Sequence, residues 1–301
     1  MDIFTYKTLV KAIAGAAGST FSLSVFYPLD LLRTQLQVGA LPCDRSAFRL
    51  LQMIAEKHGI SALYRGIGPN LVALGVSNFI YFYTFHGLKH MWSEAKQDAK
   101  KDSLFSYMAG TINVLITTPL WMTSVRLKLQ QQDLDASGQS ENTGAATRYR
   151  RHYTGLMDCL IDVYKHEGVR GLWRGAIASI LLVFNPSVQF TIYEALKRQY
   201  LILSGVNVIP GPVAFVLGAV AKFIATVLTY PLQVVQSRQR SGRNEAPKTS
   251  LQVLIEVFNK SGIRGLFSGL EAKLWQTVLT AALMFLTYEK LTQFIFWMLR
   301  G

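Results

Sequence analysis

Lys222 is the basic residue best placed in this sequence to bind a phosphate group. It interrupts the small, apolar run GAVAKFIATVLTYP, nine residues before Pro231. An isolated ammonium in a membrane segment is costly unless it faces water or an anion, so we expect Lys222 to face a wet cavity. Further candidate phosphate ligands are Arg33, Arg126, Arg238 and Lys273.

The sequence carries no pattern typical of an enzyme site. It has no glycine-rich phosphate loop, no nucleophile motif and no clustered metal ligands. Cys43 and Cys159 have neither the number nor the spacing of a disulfide framework or a zinc site. We therefore expect two free thiols, no metal, no cofactor, and a protein that moves a solute rather than converts it.

Six apolar segments are long enough to cross a bilayer. Half of the residues are hydrophobic and only 16% are charged, which is low for a soluble chain. Several segments carry Gly, Ser, Thr, Asn or a single charge, as is typical of helices packed around a polar interior. We predict an all-α membrane protein with six transmembrane helices, and a soluble bundle of six buried helices is the alternative. The segments are residues 10–32, 70–92, 104–125, 177–200, 212–236 and 273–297.

The net charge of +13 lies mostly on or at the ends of these segments rather than in the loops. This distribution favours an anionic solute or lipid headgroups as partners and argues against nucleic acid. The N-terminal stretch MDIFTYKTLV is not an Arg-rich transit segment, so we expect internal targeting information. The basic cluster RYRRH at 148–152 is a candidate for it, with headgroup contact as the simpler use.

A proline-led string occurs three times, and each copy is followed by a glycine-rich element. The strings are PLDLLRTQLQ from Pro28, PLWMTSVRLK from Pro119 and PLQVVQSRQR from Pro231, followed by HGISALYRG at 58–66, EGVRGLWRG at 167–175 and SGIRGLFSG at 261–269. The proline lies 31 positions before the first glycine of the element in the first and third copies (Gly59 and Gly262) and 49 positions before it in the second (Gly168). The 18 extra residues match the polar stretch 131–148, which we predict to be a flexible loop. The sequence therefore predicts three copies of one unit.

Each copy is predicted to contain two membrane helices joined by a polar loop with a short surface helix. LLQMIAEKHG, CLIDVYKHEG and VLIEVFNKSG have apolar residues three and four positions apart and end at a glycine. Pro28, Pro119 and Pro231 each remove a backbone hydrogen bond, so we expect three equivalent helix kinks. Such kinks can converge on one axis and close one end of a central cavity.

These repeats resemble the mitochondrial carrier family, whose helix ends read Pro-x-Asp/Glu-x-x-Lys/Arg-x-Lys/Arg before an acidic-Gly, aromatic-basic-Gly element. The resemblance covers the whole chain and implies the carrier fold, with pseudo-threefold repeats at 1–100, 101–207 and 208–301. Segments TTPLW, LLVFNPSVQF and GLEAKLWQTVLTAALMFLTYEKLT are similar to the peroxisomal branch that handles adenine nucleotides and cofactors.

The branch resemblance implies a multi-pass protein of the peroxisomal membrane. Its implied activity is exchange of CoA, FAD, FMN, NAD, AMP, ADP or ATP by alternating access. Its implied partners are these substrates, the lipid bilayer and an import receptor for peroxisomal membrane proteins, and we expect a monomer. The alternatives are a mitochondrial inner-membrane carrier for NAD, FAD, folate or pyrimidine nucleotides, a passive channel, and a membrane assembly factor.

In this family the charged residues of the proline motifs pair between neighbouring repeats and close the inner side of the cavity; we call this the proline-end gate. Pairing by motif position gives Asp30 with Ser124, Trp121 with Gln236, and Gln233 with Arg33. None of these is a full ion pair. We therefore predict a weak gate made of hydrogen bonds of about 1 to 3 kcal/mol each.

The family resemblance also implies an opposite gate on the even-numbered membrane helices. Its motif positions pair Glu289 with Lys89, Glu194 with Thr292, and Lys197 with His86. Glu289 with Lys89 is the one complete ion pair, so we predict that this gate is weak as well. The alternative use of Lys89, Glu194 and Lys197 is contact with the membrane interface.

The substrate positions implied by the family lie halfway along the even-numbered helices, near Ala73, Leu181 and the pair Gln276 and Thr277. The first two positions are uncharged, which suits an adenine or flavin ring. The nearby amides Asn78, Asn185 and Gln189 offer hydrogen bonds to a base or ribose, or join neighbouring helices instead.

Overall fold

Helices make up the part of the chain that the structure describes. A computed structural model describes residues 18–41, 46–91, 99–138, 153–205, 208–243 and 248–298. The elements are α1 (18–25), α2 (Tyr27–Val38), α3 (Ala47–His58), a 3₁₀ helix (Ile60–Tyr64), α4 (Ile67–Met91), α5 (Ala99–Gly138), α6 (Leu156–Leu172), α7 (Ala176–Leu182), α8 (Asn185–Ser204), α9 (Gly211–Ser241), α10 (Ser250–Leu266) and α11 (Leu270–Met298).

The same order of elements occurs three times, as the sequence repeats predicted. A helical segment with a proline (α1 and α2, α5, or α9) is followed by a surface helix (α3, α6 or α10) and then by a second helical segment (α4, α7 and α8, or α11). The predicted glycine stops Gly59, Gly168 and Gly262 have φ values of 80°, 67° and 61°. Gly59 ends α3, whereas Gly168 and Gly262 lie at kinks inside α6 and α10, because positive φ interrupts the helical geometry there and is available to glycine at little cost.

Two of the surface helices pack into hydrophobic clusters that join different repeats. Leu50 on α3 lies in one cluster with Leu32 on α2 and Ala272 on α11. Val253 and Val257 on α10 form the equivalent cluster with residues of α9 and α7. These clusters tie α3 and α10 to the preceding repeat around the ring, whereas α6 packs against α5 of its own repeat.

Three glycines at equivalent positions mark close contacts between neighbouring repeats. Gly66, Gly175 and Gly269 have φ values of 79°, 85° and 81°. A methyl group on Gly66 would lie 3.4 Å from the backbone nitrogen of Lys128, one on Gly175 3.3 Å from the carbonyl of Gln236, and one on Gly269 3.1 Å from the carbonyl of Arg33. The first repeat thus contacts the second, the second the third, and the third the first, which is pseudo-threefold symmetry.

Aromatic side chains join the proline region of each repeat to its glycine-rich element. The Tyr27 hydroxyl donates to the carbonyl of Arg65 (2.8 Å), and the Tyr230 hydroxyl donates to that of Ser268 (2.9 Å). In the second repeat Thr118 replaces the tyrosine, and Trp173 Nε1 donates to the carbonyl of Leu115 (2.7 Å). Leu115 lies four residues before Pro119, so its carbonyl is the one that the missing proline N–H leaves unpaired.

The three prolines do not interrupt their helices in the same way, which corrects the prediction of three equivalent kinks. Before Pro28 the helix breaks at Phe26, which has φ −97° and ψ 15°. Pro119 and Pro231 lie inside the continuous helices α5 and α9.

The predicted loop 131–148 is wrong over its first eight residues. Helix α5 continues to Gly138, through a stretch with several good helix formers such as Gln, Leu and Ala. Residues 139–148, the basic cluster RYRRH and Cys43 lie outside the described residues. Cys159 is a free, buried thiol, and burial raises its pKa to about 12.

Three helical segments of the described chain are long and apolar enough to cross a membrane: Ile60–Met91, Ala176–Ser204 and Gly211–Ser241. Large apolar side chains on them point away from the bundle, for example Phe79, Leu203 and Phe215, which are 70%, 85% and 78% exposed. Such surfaces suit contact with lipid.

Candidate proline-end gate and substrate cavity

An ion pair joins the first two repeats at the proline end. Lys128 Nζ on α5 lies 2.5 Å from Asp30 Oδ2 on α2. The side chains are 5% and 14% exposed, so the pair is shielded from water. Lys128 also donates to Asn70 Oδ1 (2.8 Å), and Gln276 Nε2 donates to the other oxygen of Asp30 (3.1 Å). Asp30 therefore connects helices from all three repeats.

This ion pair corrects the prediction that the gate contains none. Pairing by motif position placed Ser124 opposite Asp30, whereas Ser124 Oγ donates to Asn70 (3.1 Å). Lys128 follows Ser124 by four residues, so it lies one helical turn further along the same face of α5 and its long side chain reaches back to Asp30.

A second predicted pair, Arg33 and Gln233, is brought together by the structure. Arg33 Nη2 donates to Gln233 Oε1 at 2.8 Å and joins the first repeat to the third. Arg33 also lies 3.7 Å from Asp30 on its own helix. The contact is the charge-assisted hydrogen bond that the sequence predicted.

The third predicted pair, Trp121 and Gln236, meets only through a shared cavity. Both residues line a space of about 300 Å³ between α4, α5, α7 and α9, together with Asn113 and Arg240. Gln236 Nε2 donates to Ser179 Oγ (2.8 Å) rather than to Trp121. Arg240 Nη2 donates to the same hydroxyl (2.9 Å), a contact that the motif alignment did not include.

Two of the predicted phosphate ligands are engaged by other parts of the protein. Arg126 holds both carboxylate oxygens of Glu167 on the surface helix α6, and Arg174 lies 3.2 Å from the same carboxylate. Arg238 Nε donates to the carbonyl of Gln37 (3.0 Å) near the end of α2. In this conformation these arginines tie loop and helix ends together.

Lys222 and Lys273 are the predicted cations that lie close to the gate without such partners. Both are half-buried, and they are near enough to interact electrostatically with each other. Within the described residues, neither ammonium makes a hydrogen bond or an ion pair. Among the described residues, they are therefore the candidate phosphate ligands whose charged groups are not bonded to another side chain or to a carbonyl.

The predicted amide ligands differ in their contacts. Asn185 Nδ2 donates to Thr229 Oγ1 on α9 (2.6 Å), so it joins two helices, one of the two uses left open by the sequence. Thr277 Oγ1 donates to the carbonyl of Lys273 on its own helix. Asn78 is exposed and Gln189 is half-buried.

At the opposite gate, Lys197 pairs with Glu194 on its own helix at 3.4 Å. The predicted contact of Lys197 with His86 is therefore replaced by one within α8. The side chains of Glu289 and Thr292 lie outside the described residues, and so does the predicted bridge from Glu289 to Lys89.

Comparison with known proteins agrees with this geometry. The family model for mitochondrial carrier proteins matches residues 4–96, 95–202 and 209–299. The chain is 43% identical to the peroxisomal membrane protein PMP34 of Mus musculus, with 97% of this chain and 94% of that protein covered. It is 30% identical to peroxisomal adenine nucleotide carrier 1 of Glycine max (95% and 91% covered) and 28% identical to the peroxisomal nicotinamide adenine dinucleotide carrier of Arabidopsis thaliana (95% of each).

These relatives bear out the predicted location in the peroxisomal membrane. The family and these relatives are transporters rather than enzymes. With its three repeats, its ring of glycine contacts and its bonded proline ends, the chain belongs to the mitochondrial carrier family.

Proposed function

We propose that this protein exchanges nucleotides and nucleotide-containing cofactors across the peroxisomal membrane by alternating access. The observation that carries the proposal is the cluster of cations at the bonded proline end. Arg33, Lys128 and Lys273 lie near one carboxylate, that of Asp30, and Lys222 lies near Lys273. Phosphate groups are the natural partners of such a cluster, and cations kept inside a membrane protein usually mark a substrate path.

The proposed architecture has six membrane helices in three repeats, at 1–100, 101–207 and 208–301. The three segments with membrane-spanning length and composition support it. The remaining long helices, α2 with α1, α5 and α11, occupy the equivalent positions of the other repeat halves.

Substrate binding is proposed to use groups on the cavity side of the proline-end gate. Lys222 would bind phosphate, and Gln276, Thr277, Asn78 and Gln189 would contact base, ribose or pantetheine-type groups. Arg126, Arg238 and Asn185 complete the proposed set in conformations where their present contacts open.

Transport requires the proline-end gate to open and close. Opening breaks the pair of Asp30 with Lys128 and the bond of Arg33 with Gln233. Trp121, Ser124 and Gln236 lie in the same layer. Each charge-assisted contact contributes about 1.5 to 3 kcal/mol, so the barrier is within reach of substrate binding energy. On the opposite gate Lys89, Glu194, Lys197 and Glu289 are proposed to play the reciprocal role.

The substrates proposed are CoA, FAD, FMN, NAD, AMP, ADP and ATP. Relatives named as carriers of adenine nucleotides and of nicotinamide adenine dinucleotide support this class. The test is purified protein in liposomes loaded with one unlabelled compound and supplied outside with a radiolabelled one. We expect uptake that depends on internal substrate. Uptake that is equally fast into empty liposomes would indicate a channel, and no uptake with any of the seven compounds would refute the proposal.

A further inference from the structure

Three residues near the start of the second membrane segment of each repeat, on α4, α7 and α11, occupy equivalent positions. Asn70, Ser179 and Lys273 each follow the positive-φ glycine of their repeat by four residues. Each glycine lies against the proline helix of the next repeat. The three side chains therefore sit at corresponding places in the three inter-repeat contacts.

The first two of these contacts are satisfied by neutral acceptors. Asn70 Oδ1 accepts from Ser124 Oγ (3.1 Å) and Lys128 Nζ (2.8 Å). Ser179 Oγ accepts from Gln236 Nε2 (2.8 Å) and Arg240 Nη2 (2.9 Å). In both contacts the donors are the residues five and nine positions after the proline.

The third contact has a cation where the other two have an acceptor. Lys273 occupies this place, and the residues that face it by the repeat are Arg33 and Gln37 on α2. Arg33 and Lys273 carry the same charge and lie close enough to repel each other. Gln37 Oε1 accepts from Ser237 Oγ (2.6 Å) and so belongs to another contact.

Donors without acceptors accumulate at this third contact. Lys273 Nζ has no hydrogen bond within the described residues, and the buried Nε of Arg33 has none either. Asp30, the acid near Lys273 in the described part of the chain, is already occupied by Lys128 and Gln276. Lys222 adds another unpaired ammonium to the same group. The chemistry missing at this place is that of an anion with several acceptor oxygens.

We infer that a substrate phosphate binds between Arg33 on α2 and Lys273 on α11 and supplies the acceptor that the third inter-repeat contact lacks. Lys222 binds the next phosphate group of the same substrate. The phosphate links the third repeat to the first, as Asn70 and Ser179 link the other pairs. This inference rests on the proposed function and assigns Lys273 as the residue that makes transport depend on a phosphorylated substrate.

The test replaces Lys273 by asparagine, the residue at the equivalent position of the first repeat. Purified protein in detergent is heated with ADP, inorganic pyrophosphate, adenosine or no ligand. We expect Lys273→Asn to raise the Tm without ligand, because a like-charge contact is removed. ADP and pyrophosphate should stabilise the unsubstituted protein but have little effect on the variant. In liposomes the half-saturating ADP concentration should rise ~10-fold or more, as for a lost charge-assisted contact.

Lys165→Gln is the matched control, because Lys165 is exposed on the surface helix α6. It should respond to ADP like the unsubstituted protein. Lys273→Arg, which keeps the charge, should retain the stabilisation by pyrophosphate and serves if Lys273→Asn does not fold. An unchanged response of Lys273→Asn to ADP and pyrophosphate would overturn the inference while leaving the exchange function intact. Failure of the unsubstituted protein to exchange any nucleotide would instead remove the proposed function.

Discussion

Lys128 reaches Asp30 from a position one helical turn beyond the residue that the repeat motif places opposite it. The pair lies 2.5 Å apart and is nearly closed to solvent. Around it, Asp30 is also 3.7 Å from Arg33 and accepts a hydrogen bond from Gln276. The acid is therefore shared by several donors, whereas Lys128 has this one counter-charge among the residues that the structure describes, beside the neutral Asn70.

This asymmetry predicts unequal effects of removing the two partners. Asp30→Asn leaves Lys128, Arg33 and Lys273 without their common acid, so we expect a loss of about 3 to 5 kcal/mol, the range for a broken buried pair. Lys128→Gln should lose less, because Asp30 keeps Arg33 and Gln276. Thermal unfolding of the purified variants measures both effects.

The double variant Asp30→Asn/Lys128→Gln completes the test. We expect a coupling of about 1 to 3 kcal/mol between the two positions, as found for residues in direct contact. Equal losses for the two single variants with no coupling would contradict a shared role for Asp30. Exchange in liposomes should slow in Asp30→Asn more than in Lys128→Gln.

The repeat pattern predicted that neighbouring repeats contact each other at the proline ends, but it predicted only some of the side chains that form these contacts. The bond of Arg33 with Gln233 followed from motif spacing alone, because both residues keep the register of the family motif. Lys128 was missed because the motif alignment considered only Ser124, the residue at the motif position. In a helix, the residue four positions later lies on the same face, so Lys128 can also reach Asp30.

Other contacts are made by side chains that lie outside the proline motif, on which the sequence-based pairing relied. Asn70 and Ser179 could have been found from their constant offset of four residues after Gly66 and Gly175. The bond of Arg126 to Glu167 had a weaker signal, since the acid before the glycine is present only in the second repeat. The extension of α5 to Gly138 had no clear signal, because composition alone does not separate a polar helix from a loop.

Trp173 is predicted to stabilise the second repeat through the carbonyl that Pro119 leaves unpaired. Trp173→Phe removes the donor to Leu115 but keeps an aromatic ring, so we expect a loss of about 1 kcal/mol. The matched control is Trp275→Phe, because Trp275 packs edge-on against Phe48. Thermal unfolding should show a lower Tm for Trp173→Phe than for Trp275→Phe. Equal Tm values would mean that the carbonyl of Leu115 does not need this donor.

Lys222 is predicted to act on the phosphate part of every substrate. Lys222→Gln keeps the length and polarity of the side chain but removes the charge, so uptake of AMP, ADP, ATP and CoA should all fall, by ~10-fold for one lost charge-assisted contact. The exposed substitution Lys165→Gln should leave uptake unchanged. Initial rates in liposomes over a range of substrate concentrations measure the effect. Kinetics of Lys222→Gln identical to those of the unsubstituted protein would exclude Lys222 from the substrate site.

Glu256 on the surface helix α10 is predicted to give a pH-dependent contribution to stability. Hydrogen bonds from Lys248 and Lys260, each 2.7 Å long, hold the pKa of Glu256 at about 2, below its ordinary value near 4.5. A carboxyl whose pKa is lower in the folded state stabilises above its unfolded pKa and loses that effect as the pH falls towards the folded pKa. The contribution should therefore be complete above about pH 5 and decline from about pH 4.5 to about pH 2.

The comparison of the unsubstituted protein with Glu256→Gln isolates this effect from the other carboxylates. Because the lysines are largely exposed, the difference at pH 7 should be small, about 1 kcal/mol or less. Amide hydrogen exchange of α10 should then be slower in the unsubstituted protein at pH 7, and the ratio of protection factors should fall below about pH 4.5 and approach one as the pH nears 2. A ratio that stays constant from pH 7 to pH 3 would show that the two lysines do not hold Glu256 ionised, and that α10 depends on its Thr249 and Gln252 capping box and its buried valines instead.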